Sequence, residues 1–339
     1  MISKMAIVAA LAAFVLVAGL LYQAAGVRRS AKRFGPPGAL IDVDGQALHL
    51  VRGGAGEPLV LFEAGVAASS LSWTTVLPGV ADVAATCAYD RAGLGWSGPA
   101  RTPRTVDRIV AELRGVLAHA GNGRPAVLVG HSFGSFLALV YAAWYPGEVA
   151  GLVLVDPPTE WQDVTEPRAR LLRRGIQASH LGAFLAHIGL VRALLALLTG
   201  GAPGVPRHGI RVLGPRAVRT LEHLVGEVRK LPPEIHPTVQ AMWCDPKCFR
   251  GMAAHLAALA PMGAAARGVT SLDDLHLTVI SAGDQQPEIV AAQRELAGLS
   301  SRGRHIVAAR SGHWIHLDQP DLVVSAIRDV VADVRAHDN

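Results

Sequence analysis

The sequence predicts a mostly parallel α/β sheet, doubly wound with helices on both faces, into whose chain a helical cap is inserted. Three observations predict it. Short apolar runs rich in Val and Leu alternate with segments of helical spacing over residues 40–156. The alternation stops between 159 and 269, where long helical runs and Gly/Pro clusters replace strands. It resumes at 277–282 and 304–308, and a last helix spans about 321–335.

In chain order, residues 5–27 are apolar except for Gln23. As a helix this run would measure ~34 Å, enough for a bilayer core of ~30 Å. Residues 1–27 are therefore read as a transmembrane anchor. The alternative is a cleaved signal peptide and a secreted body, but Gln23-Ala24-Ala25 puts a bulky polar residue where a cleavage site needs a small one. Arg28, Arg29, Lys32 and Arg33 follow the run and only Lys4 precedes it, a bias that puts the body in the cytoplasm. Residues 28–38 read as a basic Gly/Pro linker.

Residues 39–158 form the first part of the core. Two β-patterned runs, 40–43 and 48–52, flank the turn dipeptide Asp44-Gly45. Buried-strand patterns follow at 59–62 and 84–89, with a helical pattern over 69–80 between them. Val106–Ala120 has helical spacing, stopped by Gly121-Asn122-Gly123. Strands at 126–129, leading into Gly130, and at 149–155 complete this part. The cap, 159–269, includes helical runs at 184–198 and 218–231; the first carries His187 and Arg192 and is short for a membrane span. Residues 270–339 complete the core.

Half the residues are hydrophobic, which excludes a disordered chain. The formal charge of +5 arises wholly in the first 35 residues, because acids and bases balance once Lys4, Arg28, Arg29, Lys32 and Arg33 are set aside. A nucleic-acid-binding face has no support. Cys87 fits a core strand; Cys244 and Cys248 lack a second pair of ligands for zinc, and a disulfide between them is unforced.

Chemistry concentrates at 126–136, where an apolar strand runs into Gly130-His131-Ser132-Phe133-Gly134 and then a helix. The pentapeptide alone also fits a chance turn. Between a strand and a helix, it is the G-x-S-x-G elbow, whose flanking glycines leave room for a strained serine. A serine hydroxyl needs a base, and the base needs an acid to fix its tautomer. Of 14 histidines, His313 stands on the loop after the last strand, with His316 as rival. Asp284, at the end of the preceding strand, is the expected acid; Glu288 on the same loop and Asp156 at the end of the 149–155 strand are alternatives. The N–H groups of Phe133 and Val66 are the candidate oxyanion donors. Asp90 and Arg91 read as braces for their loop, and Trp73, Trp96 and Phe133 as pocket walls or core.

With its motifs EAG, YDRAGLGWS, LVGHSFG, LVLVDP and SGHW, the chain resembles bacterial serine hydrolases of the α/β-hydrolase fold over 40–156 and 277–331. The resemblance implies a triad of Ser132, Asp284 and His313 and an oxyanion hole of Phe133 and Val66. Two departures bear on this. Glu63-Ala64-Gly65 stands where many relatives have His-Gly, and the acid loop GDQQPE lacks a common second Asp. Serine at 132 disfavours epoxide hydrolase or haloalkane dehalogenase chemistry, which uses a carboxylate at the elbow. The expected activity is hydrolysis of an apolar ester or amide through an acyl-enzyme, with no metal or organic cofactor. A prolyl-aminopeptidase-like enzyme is the rival within the class, with Glu160, Asp163 or Glu166 holding a substrate amine. A non-catalytic binding module is the rival outside it.

Overall fold

The computed structural model describes residues 4–121, 123–198 and 228–338. Eight strands form one sheet: β1 Ala39–Val43, β2 Gln46–Gly53, β3 Val60–Glu63, β4 Thr86–Asp90, β5 Ala126–His131, β6 Val149–Val155, β7 His276–Ala282 and β8 Gly303–Ala308. Their spatial order is β1-β2-β4-β3-β5-β6-β7-β8. β1 and β2 form an antiparallel hairpin whose turn uses Asp44 at φ 51° and Gly45 at φ 78°, with Gly45 N donating to Asp42 Oδ1 at 2.8 Å. β2 is antiparallel to β4, and every later pairing is parallel. Their carboxyl ends therefore share one edge of the sheet, where open α/β sheets build sites.

The helices are α1 Lys4–Arg33, α2 Leu77–Ala81, α3 Val106–Ala120, α4 Phe133–Trp144, α5 Glu166–His187, α6 Leu190–Leu198, α7 His236–Trp243, α8 Pro246–Arg267, α9 Pro287–Ala297, α10 Ile315–Asp318 and α11 Pro320–Asp338. Central strands are buried on both faces, and their side chains divide with period two. Leu61, Leu128 and Leu152 pack with Ile109, Leu113 and Phe136 on one face. Phe62, Val129 and Val153 pack with Val80, Val323 and Ile327 on the other. Each such side chain contributes roughly 1.5–3 kcal/mol of burial.

Three differences from the expectations are local. The 69–80 pattern becomes a 3-10 turn, Ser70–Trp73, and the separate short α2. Pro78 in the first turn of α2 lacks an N–H and so starts a helix rather than continuing one. The 184–198 run breaks at Gly189, whose φ of 79° a helix cannot hold, so α5 ends at His187 and α6 begins anew. Residues 28–33, expected as linker, are the last turns of α1. Cys244 and Cys248 are buried free thiols without a bond between them. Residues 218–227 of the expected 218–231 helix lie outside the described residues.

Candidate active site

β5 ends at His131, and α4 begins at Phe133, so Ser132 alone makes the corner, at φ 53° and ψ −119°. That backbone is costly for a residue with a Cβ, and close packing enforces it. A Cβ on Gly130 would lie 2.3 Å from Gly134 O, and one on Gly134 would lie 2.5 Å from Glu63 O. Ser132 N donates to Val155 O at 3.0 Å, tying the corner to the end of β6.

His313, on the loop after β8, pairs through Nδ1 with Asp156 Oδ2 at 2.6 Å. This corrects the expectation for the acid: the carboxylate on His313 is Asp156, at the end of β6, while Asp284 and Glu288 are exposed. Asp156 is 1 % exposed and sits at φ 45°. Gln285 Nε2 donates to its Oδ2 at 2.9 Å, and Gln293 Nε2 to its Oδ1 at 2.9 Å. Burial works to raise this carboxyl, but the hydrogen bond and charge of His313, with the two glutamine donors, outweigh it and hold the group below its ordinary range. The loop that was to supply the acid thus supplies Gln285, which holds it. A carboxylate there keeps the proton of His313 on Nδ1 and leaves Nε2 as an acceptor.

The rival His316 is wholly buried against Trp73, with ring centroids 4.6 Å apart, and makes no side-chain hydrogen bond among the described residues. Burial first, and the charge of His313 second, push it down to about 3. His131, inside the elbow, lies with its ring 4.7 Å from that of His313, and its Nε2 donates to His313 O at 2.9 Å. It therefore braces the loop that carries His313, and burial keeps it neutral by lowering it well below an ordinary histidine.

The loop after β3 approaches the elbow at Gly65, where a Cβ would lie 3.1 Å from His131 Nδ1 and 3.7 Å from Ser132 Cβ. Neither Val66 N–H nor Phe133 N–H has a backbone acceptor among the described residues, and first-turn N–H groups of a helix have none within it. Glu63 and Arg91 fix this loop as a buried ion pair at 2.9 Å. Arg91 also donates to Ala64 O at 2.7 Å and to Gly65 O, and Tyr89 donates to Glu63. Burial pushes Glu63 up despite the opposing charge of Arg91. Sequence reasoning saw Arg91 as a brace but missed its partner; two charges flanking buried strand ends were the available signal. Asp90 braces in the same way, accepting from Ser70 N at 2.7 Å and Trp96 N at 2.9 Å.

A cavity of about 250 Å³ adjoins this edge, lined by Leu71, Leu94, Val239, Met242, Trp243 and Trp314, the last next to His313. Of the expected wall residues, Trp73 and Phe133 are fully buried core, and Trp96 donates to Phe34 O at 2.8 Å. A wider groove of about 720 Å³, along Leu59, Ala126 and Tyr145, lies at the amino ends of β3 and β5, opposite Ser132. Asp163 and Glu166 are exposed and paired, with Arg267 and with Arg173. Glu160 is half-buried, and its Oε2 has no partner among the described residues.

Residues 58–179 match the family model for the alpha/beta hydrolase fold, a stretch that includes the loop after β3, Ser132 and Asp156. The uncharacterized protein YqjL of Bacillus subtilis is 36% identical over 116 residues, covering 34% of this chain and 46% of that protein. Lipase LipV of Mycobacterium tuberculosis is 39% identical over 111 residues, covering 32% of this chain and 41% of the lipase. The chain thus spans under half the length of each of these relatives. Among solved structures, a loop variant of the haloalkane dehalogenase DbeA from Bradyrhizobium elkanii superposes with a TM-score of 0.63 at 19% identity, covering 88% of this chain and 97% of that one. At that identity the likeness speaks for the fold alone.

Proposed function

This chain has the α/β-hydrolase fold, and from that premise we propose that it is a serine hydrolase that cleaves a carboxylic ester or amide through an acyl-enzyme. Ser132 Oγ attacks the carbonyl carbon while His313 Nε2 takes its proton. Asp156 holds Nδ1–H and stabilises the imidazolium that forms. The N–H groups of Phe133 and Val66 receive the oxyanion, each contributing roughly 3–4 kcal/mol. His313 then protonates the leaving group. Water attacks the acyl-enzyme with His313 again as base, releasing the acid and restoring Ser132. The observation that carries this reading is the 2.6 Å contact of His313 with buried Asp156, next to a serine held at positive φ. The apolar lining of the adjoining cavity favours an apolar acyl or alcohol group.

The test is labelling with a fluorophosphonate probe. The wild-type chain should label, and Ser132→Ala should not. A folded wild type that does not label supports the binding-module reading instead.

One observation favours an amine-bearing substrate as a second reading. Glu160 has an unpartnered buried oxygen, and burial and the nearby Asp156 charge push its carboxyl up, so a cation arriving beside it would relieve both. Turnover of aminoacyl-naphthylamides in preference to p-nitrophenyl esters, lost in Glu160→Gln, would support it.

A further inference from the structure

α1 is 30 residues long, with a mean hydropathy of 2.6 in its most apolar stretch, and its side chains from Met5 to Val17 are exposed. A hydrocarbon core of ~30 Å needs about 20 helical residues, which from Lys4 extends to about Gln23. The cap meets α1 before that length is used. A Cβ on Gly19 would lie 2.4 Å from Ile188 O, and one on Gly189 would lie 2.8 Å from Gly19 O, so the turn between α5 and α6 sits directly on the helix. Gln23, the one strongly polar residue of the apolar run, is buried there. Its Nε2 donates to Cys244 O at 2.7 Å, and its Oε1 accepts from Arg192 Nε at 3.1 Å. Arg192 Nη1 also donates to Ser30 Oγ at 3.3 Å.

The free part of α1, residues 4–18, measures only ~22 Å at ~1.5 Å per residue. It falls short of the hydrocarbon thickness by roughly 8 Å. The span reaches full depth only if the α5–α6 turn enters the bilayer boundary with it. The surface of that turn suits such a place. Leu181, Phe184, Leu190 and Leu197 are 57%, 58%, 52% and 40% exposed, an apolar face that water disfavours. The two helices together are apolar enough for a membrane segment, but they bend by 86° at Gly189, which turns α6 across the direction of α5. Arg28, Arg29, Lys32 and Arg33 are exposed on the last turns of α1, starting ~13 Å beyond Gly19, where lipid phosphates would meet them.

We propose that the α5–α6 corner is a membrane-seated surface, with Leu181, Phe184, Leu190 and Leu197 dipping into the bilayer boundary beside α1. The inference rests on reading α1 as an anchor. It has a consequence for the proposed reaction. A cavity of about 170 Å³ flanked by Val27 and Ala31 of α1, and by Phe34 just after it, shares Gly95, Met242 and Cys248 with the apolar cavity near His313. An ester dissolved in the bilayer would thus meet the site from the anchor's side.

The experiment uses the full chain in phosphatidylcholine/phosphatidylglycerol vesicles. An environment-sensitive fluorophore is placed by Leu11→Cys, Phe184→Cys, Leu190→Cys or Leu171→Cys, against native cysteines that are all buried. Leu171 is exposed on α5 about 20 Å from Phe184 along the helix and is the control. Probes at 11, 184 and 190 should shift to the blue and be quenched by spin-labelled lipid, while 171 stays aqueous. Lipid contact at 11 with water at 184 and 190 overturns the proposal, and water at 11 removes the anchor and the proposal with it. As a functional arm, Phe184→Glu with Leu190→Glu should lower turnover of a vesicle-embedded ester at least tenfold and leave a short soluble ester unchanged. Equal turnover of both esters by variant and wild type overturns it. A wild type inactive on both esters counts against the hydrolase reading, and the probe positions then decide the membrane seat alone.

Discussion

Asp156→Asn separates the two candidate acids. In the native site both carboxylate oxygens accept: Oδ2 from His313 and Gln285, Oδ1 from Gln293. An amide replaces one acceptor with an NH₂ donor, and neither orientation suits the site. If the NH₂ faces Gln293, two donors oppose each other in a buried place. If it faces His313, Nδ1 must become an acceptor, the ring proton moves to Nε2, and the base can no longer take the proton of Ser132. The tautomer change has cost about 10⁴-fold in kcat in a protease triad, equivalent to about 5.5 kcal/mol at about 1.4 kcal/mol per decade. A loss of about 10³–10⁴-fold in kcat/KM for a p-nitrophenyl ester is therefore expected, with circular dichroism checking the fold. Asp284→Asn, at an exposed side chain, should stay within about threefold of wild type. The reverse pattern, Asp284→Asn inactive and Asp156→Asn active, would refute the assignment.

Arg91→Ala leaves Glu63 buried without its cation and frees the carbonyls of Ala64 and Gly65. A loss of about 3–5 kcal/mol in denaturant unfolding is expected, together with a fall in kcat from a loosened oxyanion loop; unchanged stability would contradict the brace. Acid sensitivity follows from His316, whose folded value of about 3 lies below the unfolded value of about 6.5. The unfolded chain then binds more protons, so stability is complete above pH ~6.5 and falls by up to about 1.4 kcal/mol per pH unit as pH drops towards 3. His131, lowered by burial, acts in the same direction. His316→Phe, which keeps a ring against Trp73, should flatten part of the fall in unfolding midpoint between pH 7 and 5, and an identical slope in variant and wild type would remove His316 as its source.

The strands were legible because burial on both faces writes continuous apolar runs, as at β5 and β6, and the hairpin because Asp44-Gly45 accepts positive φ. The elbow was legible for a related reason: Gly130 and Gly134 are demanded by contacts of 2.3 and 2.5 Å that no other residue survives. Positions set by side chains meeting across the fold were not. Gln293 looks like any polar residue of an amphipathic helix, yet it is fully buried and serves Asp156. Gln23 looks like a blemish in an apolar run until Cys244 and Arg192 are seen around it. The break of 184–198 at Gly189 was open to inspection, since Gly inside a helical pattern weakens it, but the pattern on either side was apolar enough to hide it.

That His313 pairs with Asp156 and not with Asp284 has a physical reason. β6 and β7 are parallel neighbours in register, Val155 against Ile280, so their carboxyl ends open on the same edge. A carboxylate at either end has a path to the loop of His313. Strand order alone cannot choose between them, whereas burial can. An ion-paired hydrogen bond gains strength as water leaves it. Asp156 is enclosed, carries two amide donors and holds a backbone conformation unfavourable to a side chain, while Asp284 is exposed and its neighbour Gln285 reaches past it to Asp156. A carboxylate enclosed in that way is costly unless His313 answers it, and the contact of 2.6 Å is that answer. Gln285→Ala should accordingly cost far less than Asp156→Asn, because Gln293 still holds the opposite oxygen; a loss in kcat equal to that of Asp156→Asn would mean that the β7 loop, and not Asp156, organises the base.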